Sequence, residues 1–290
     1  MIAPATGIPP ASAIPTTPSI PTPKPIPKPK PKTIEQVLET VSASRLQLFH
    51  QCRLKFFFRY VLCLVKPRSS ALFMGSMVHS VLQSWNLSRW RTGTFDLAKL
   101  KAELDQNWTK EQVKQPITWD LGEEQEAKAE SWLLFEIYLK HTPIALDEKP
   151  EGVEVSLEVD LKDRGLPRLV GIIDLVRKGG RIVDFKTASV TPNSDKAEHM
   201  HELQLSCYSI LYREATGQKE GGRELHHLVK LKTPKIVISE FPPMTHKQES
   251  RLFRIMESYV NGVQGEDWVP SPNPMSCACC EYFNECRNWT

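Results

Sequence analysis

Apolar residues recur at helical spacing through Leu46, Phe49, Phe56 and Tyr60, and Ser42-Ala43-Ser44 stands where a helix cap is expected. A second helical stretch is predicted from about Ala71 to Trp90. Residues 95–113 and 122–141 mix charges with Leu100, Leu104, Trp108, Trp132, Leu134 and Tyr138, the pattern of amphipathic helices whose aromatics pack inward. From Val153 the period changes to two. Val153, Val155, Leu157, Val159 and Leu161 alternate with Glu154, Ser156, Glu158 and Asp160, which predicts a half-buried strand with the acids on its solvated face. Leu169–Val176 is almost wholly apolar and reads as a central strand buried on both faces, with one acid, Asp174, inside it. Lys178-Gly179-Gly180 reads as a hairpin loop and 181–187 as the returning strand. A helix over 196–216, a strand over 225–231 and a helix from about His246 to Val263 complete the pattern before a Cys-rich end.

Composition and charge refine this picture. Residues 1–33 hold 11 of the 23 Pro, four Lys and no acid, so they are expected to form an extended, disordered spacer. The remaining chain carries 33 basic against 34 acidic residues, so contact with nucleic acid there requires a local patch. No apolar run approaches the roughly 20 residues that cross a bilayer, and Pro interrupts the N-terminus, which predicts a cytoplasmic protein without a membrane partner. Seven Cys, an odd number, disfavour a disulfide framework and favour metal or cluster ligation. The chain shows no internal repeat and no phosphate-loop signature, so it has no ATP motor of its own.

The hairpin concentrates the chemistry. With a three-residue loop, Asp174 faces Asp184, and Lys186 lies on the same side opposite Ile172; a two-residue Gly-Gly turn would send the two Asp side chains to opposite faces. Adjacent carboxylates repel unless a hard cation such as Mg²⁺ or Mn²⁺ lies between them. Beside such a cation a Lys can orient a water and stabilise charge developing on a phosphate. The bland alternative is an Asp/Lys ion pair on a sheet surface.

Gly171-Ile-Ile-Asp174 followed by Ile182-Val-Asp-Phe-Lys-Thr187 resembles the core of the PD-(D/E)xK nuclease superfamily, in particular its RecB-like and AddB-like exonuclease branch. Gly75-Ser-Met-Val-His79 resembles the G-x-x-x-H helix of that branch, and Gln204-Leu-Ser-Cys-Tyr208 its Q-x-x-x-Y motif, whose spacing places both side chains on one helical face. The resemblance implies an α/β fold with a restriction-endonuclease-like αβββαβ core, a mixed sheet flanked by helices, and an added helical cap. Residues 34–290 would form one nuclease domain, with the cap at about 95–150, the catalytic core at about 70–92 and 152–232, and a cluster-binding end at 264–290. By the same resemblance His79, Asp174, Asp184 and the Phe185 carbonyl would bind Mg²⁺ or Mn²⁺. Lys186 would serve the attacking water, and Gln204 and Tyr208 would position Lys186 or the nucleic-acid backbone. Glu158 is the spare acid nearby and reads as a solvated strand residue.

Cys277-x-x-Cys280, then Cys286, close the chain, and Cys52 lies 225 residues before Cys277. One CxxC pair with two separated Cys makes an awkward zinc ribbon and suits an iron-sulfur cluster. The same nuclease branch carries one Cys before its core and three after it, which implies a 4Fe-4S cluster on Cys52, Cys277, Cys280 and Cys286 that staples the termini together. Structural zinc, free thiols, or Cys279 in place of a neighbour are the alternatives, while Cys63 and Cys207 read as buried thiols. The function so implied is metal-dependent hydrolysis of DNA from single-stranded ends in repair or recombination, with a helicase or a recombination or integration protein as partner. Two rivals remain: a CRISPR-type nuclease that trims DNA before integration, and a catalytically silent DNA-binding subunit of a helicase complex.

Overall fold

The structure, a computed structural model, describes residues 30–115, 117 and 119–289, so the spacer reading of residues 1–33 lies outside the described residues except at 30–33. Order begins at once. The Lys32 amide donates to the Val61 carbonyl, and Thr33 and Gln36 form a reciprocal capping box on α1 (Ile34–Leu38). A short strand β1 (Thr40–Val41) leads to α2 (Ala43–Gln51), whose first turn is capped by the Ser42 hydroxyl. The helix does not continue to Tyr60 as its apolar spacing predicts. At Cys52 the backbone is extended (φ −162°, ψ 108°), and α3 (Arg53–Phe56) and a π-helical turn (Phe57–Val61) follow. Three helices come next, α4 (Ser70–Thr92), α5 (Leu97–Lys114) and α6 (Glu123–His141).

The sheet is built from β2 (Gly152–Val159), β3 (Arg168–Arg177), β4 (Arg181–Ala188), β5 (Gly222–Val229) and β6 (Lys235–Phe241), with α7 (Ser194–Thr216) crossing between the parallel β4 and β5. The order is β1-β3-β4-β5-β6, with β2 antiparallel along β3. Arg177 pairs with Arg181, so the loop is the three-residue Lys178–Gly180, and Gly179 and Gly180 supply its left-handed backbone (φ 78° and 69°). The ladder between β3 and β4 then stops at Leu175 and Val183. Because β2 occupies one edge of β3, β1 and β4 share the other, pairing at 168–169 and at 175–177. Between these, residues 170–174 face no strand on that edge among the described residues. This opening corrects the expectation that β3 is buried on both faces: Ile172 is 50% exposed.

β5 is the strand that is buried throughout, although it carries Arg223, Glu224, His226 and His227. Partners from outside β5 make that burial tolerable. Arg177 and Arg181 both reach Glu224, and Arg223 reaches Glu198. β6, which alternation does not reveal, pairs along the whole of β5.

Two cores flank the sheet. Ile182 and Val176 join Leu211 of α7, Phe49 of α2 and Tyr259 of α8 (His246–Gln264) in one; Val183 and Phe185 join Trp85 of α4, Trp108 of α5 and Phe135 of α6 in the other. Trp108, Trp132 and Tyr138 are buried packing residues, as their spacing predicts. Two short helices, α9 (Pro274–Ala278) and α10 (Phe283–Arg287), carry Cys277 and Cys286, with Cys279 and Cys280 between them. Among the described residues no helix is long and apolar enough to cross a membrane.

Candidate active site

A cavity of about 890 Å³ opens where β3 and β4 diverge. Asp174, Lys186, His79, Gln204 and Tyr208 line it, and none of its lining residues comes from α5 or α6. Two glycines let the surrounding helices come close. A side chain at Gly75 would meet Thr187 Oγ1 at 2.9 Å, so α4 lies against β4 and presents His79 one turn later. A side chain at Gly171 would meet Leu211 Cδ1 at 2.7 Å, so α7 lies against β3 and brings Gln204 and Tyr208 over the open edge.

The parting of the strands frees the Phe185 amide from the ladder, and it donates to Asp174 Oδ2 at 2.9 Å. His79 Nδ1 stands 3.6 Å from the same oxygen. On the α7 side, Gln204 spends both ends of its amide. Its Oε1 accepts from Lys186 Nζ (2.8 Å), while its Nε2 donates to Asp184 Oδ1 (2.9 Å) and to Tyr208 Oη (2.8 Å). Lys186 Nζ closes the ring as an ion pair 2.7 Å from Asp184 Oδ2, an atom that accepts no hydrogen bond of good angle. Gln204 therefore fixes Lys186 and Asp184 relative to one another, and Tyr208 acts through Gln204.

Electrostatics follow from this burial. The carboxyl groups of Asp174 and Asp184 are both pushed above the usual range, chiefly by burial, against the pull of Lys186. Burial lowers the His79 imidazole, and Asp184 offsets this in part. Sequence reasoning passed over a third acid. Glu154 lines the cavity and its carboxyl is pushed up to about 7 by burial and by the charge of Asp174, whereas Glu158 lies exposed beside Arg168. Strict alternation gives Glu154 and Glu158 the same face; the left-handed backbone at Glu154 (φ 49°) is a departure that alternation does not reveal.

Among the described residues no three His, Cys, Asp or Glu side chains are already gathered as a metal-holding group. The donor set nevertheless suits a hard divalent cation: the buried Asp184 carboxylate, the largely buried Asp174 carboxylate on the cavity wall, an imidazole, and one Asp184 oxygen short of a hydrogen bond. The Cys286 thiol is raised by burial and by the nearby sulfurs of Cys52, Cys280 and Cys277. Cys279 is exposed and turned toward the Met275 carbonyl, outside that set.

The helix-flanked mixed sheet and the Asp/Lys-bearing hairpin define a class, and comparison with known proteins agrees. The profile of the PD-(D/E)XK nuclease superfamily matches residues 40–287, and the chain belongs to that superfamily. In fold it is similar to a crystal structure described as a "Putative exonuclease" from Eubacterium rectale, at 17% identity and a TM-score of 0.58, over 89% of this chain and 91% of that one. A crystal structure of SSO0001 aligns over 82% of this chain and 92% of its own at 13% identity, with a TM-score of 0.34. Among curated proteins none matches.

Proposed function

We propose that the protein is a metal-dependent DNA exonuclease that hydrolyses phosphodiester bonds at single-stranded ends, in DNA repair or recombination. The observation that carries this reading is the ring of Lys186, Asp184 and Gln204, whose Lys186 and Gln204 line a cavity that also presents Asp174 and His79. His79, Asp174, Asp184 and the Phe185 carbonyl would hold Mg²⁺ or Mn²⁺, which when bound polarises a phosphate and acidifies a water. The protein's own residues do the rest. Gln204 holds the Lys186 ammonium where it can orient the attacking water and stabilise charge on the phosphate oxygens. Tyr208 fixes the Gln204 amide, and Asp184 beneath it is buried. Ser42, Ala43 and Ser44 place the first turn of α2 at the cavity, where free amides suit a phosphate of the substrate.

The same reading assigns a 4Fe-4S cluster to Cys52, Cys277, Cys280 and Cys286. The neighbouring sulfurs, and the packing of Cys52, Cys280 and Cys286 against one core, support a thiolate staple between the start and end of the domain.

The test is degradation of linear and circular single-stranded DNA by anaerobically purified protein with Mg²⁺ or Mn²⁺, alongside Lys186→Ala. Shortening of the linear strand alone, lost in the variant, is expected. Cleavage of circles would replace the exonuclease by an endonuclease, and activity unaffected by Lys186→Ala would overturn the site.

A further inference from the structure

β2 carries Glu154, Ser156, Glu158 and Asp160 in alternation, and the fold treats its acids unequally. Glu158 and Asp160 are exposed, with Arg168 3.5 Å from the first and Lys162 3.3 Å from the second. Glu154 is half-buried on the wall of the catalytic cavity, and among the described residues its carboxylate has no hydrogen bond and no ion pair.

Its position is set by register. Val153 pairs with Leu175 and Val155 with Ile173, which places Glu154 directly across from Asp174 on the neighbouring strand. Both side chains line the same cavity, and like charges on opposed residues of one sheet face repel. The backbone at Glu154 is left-handed (φ 49°), a strained conformation for a residue with a side chain. Three unfavourable features thus meet at one residue: a partnerless half-buried acid, a like charge opposite, and a left-handed backbone. The single cationic side chain on this wall, Lys186, is already engaged by Asp184 and Gln204. A cation entering the cavity would offset the first two features together.

We propose that Glu154 is a third carboxylate for the divalent cation of the Asp174/Asp184 pair, reaching it from β2 and setting the affinity of the site. The inference rests on the nuclease reading above and extends it to a residue outside the superfamily motifs. It makes the cation site a product of two hairpin neighbours, β2 with β3 and β3 with β4, so that cation binding ties together strands that part at the cavity.

The test reads cation binding directly, without DNA. Free Mn²⁺ is followed by electron paramagnetic resonance while the full chain is titrated, for wild type, Glu154→Gln, Glu158→Gln and Asp184→Asn. Glu154→Gln is expected to raise the Mn²⁺ Kd at least fivefold, with Glu158→Gln within twofold of wild type and Asp184→Asn weakened more than either. Glu154→Gly, whose backbone suits the left-handed conformation, guards against misfolding: it should melt at or above the wild-type temperature and still lose the same affinity. A Kd within twofold of wild type in Glu154→Gln, with Asp184→Asn clearly weakened, would overturn the role of Glu154 and leave the nuclease reading standing. Wild type binding Mn²⁺ no better than Asp184→Asn would overturn both.

Discussion

Replacing Gly171 by Ala probes how the fold holds its catalytic helix in place. The new methyl carbon would lie 2.7 Å from Leu211 Cδ1 and 3.7 Å from Tyr208 Cε1. Carbon atoms rest at about 3.5–4.0 Å, so the first contact is roughly 1 Å too short and the second is comfortable. Leu211 is fully buried but lines the cavity, so the clash is relieved either by rotating its end toward that space or by shifting α7. Overpacking of this kind costs about 1–3 kcal/mol. Leu211→Ala alone removes a buried side chain and should cost about 2–5 kcal/mol. In the double variant the methyl at 171 occupies part of the space that Leu211 vacates, so the combined loss should fall short of the sum by at least about 1 kcal/mol. Urea unfolding with unchanged m-values is the assay. The same clash, relieved by moving α7 outward, would draw Gln204 away from Lys186, so Gly171→Ala should lower the rate of hydrolysis and Leu211→Ala should restore part of it. Additivity of the two stability losses within about 0.5 kcal/mol would refute close approach as the reason for glycine at this position.

Further consequences concern the buried acids and the cysteines. Because Asp174 and Asp184 titrate above their unfolded values, the native state binds more protons than the unfolded chain over the interval between the two, and stability falls as pH rises from about 4 through the native titration. Asp184→Asn removes one of these groups. In the absence of divalent cation it should be more stable than wild type at pH 7.5 by about 1–3 kcal/mol, and the gap should close toward pH 4, as followed by thermal unfolding in EDTA. A constant gap across that range would contradict burial of the charge as its cause. Cys286→Ser should abolish iron and acid-labile sulfide in anaerobically purified protein and lower its melting temperature, whereas Cys279→Ser should leave both unchanged; elemental analysis and calorimetry decide this.

Legibility of the chain divides along the line between local and tertiary physics. The Ser42 cap, the amphipathic helices and the three-residue Gly hairpin rest on neighbours in sequence, and the structure reproduces them at Ala43, at Ser70–Thr92 and at the Arg177–Arg181 pair. The i, i+4 relation of Gln204 and Tyr208 likewise gives a real contact, since both lie on one turn of α7. Local pattern fails where distant partners rewrite the environment. β5 is buried with four ionisable residues because Arg177, Arg181 and Glu198 arrive from other elements to compensate them. β3 is open to the cavity because β1 and β4 leave a gap along one of its edges, a matter of pairing that no run of apolar residues encodes. Glu154 and Glu158 share a strand and a parity, yet only Glu154 lines the cavity, with a left-handed backbone that alternation does not encode. The break at Cys52 belongs to the same group: its apolar spacing is helical, while the tertiary packing of Phe56 and Phe57 on Trp268 directs the chain elsewhere.

The central claim is that Asp184 and its partners form a metal-dependent nuclease centre. Its most direct test is the rate at which anaerobically prepared wild type and Asp184→Ala release label from end-labelled single-stranded DNA, with Mg²⁺ or Mn²⁺ and again in EDTA. Cation-dependent release by wild type that falls at least a hundredfold in the folded variant is the predicted result, and equal release by both proteins would contradict it.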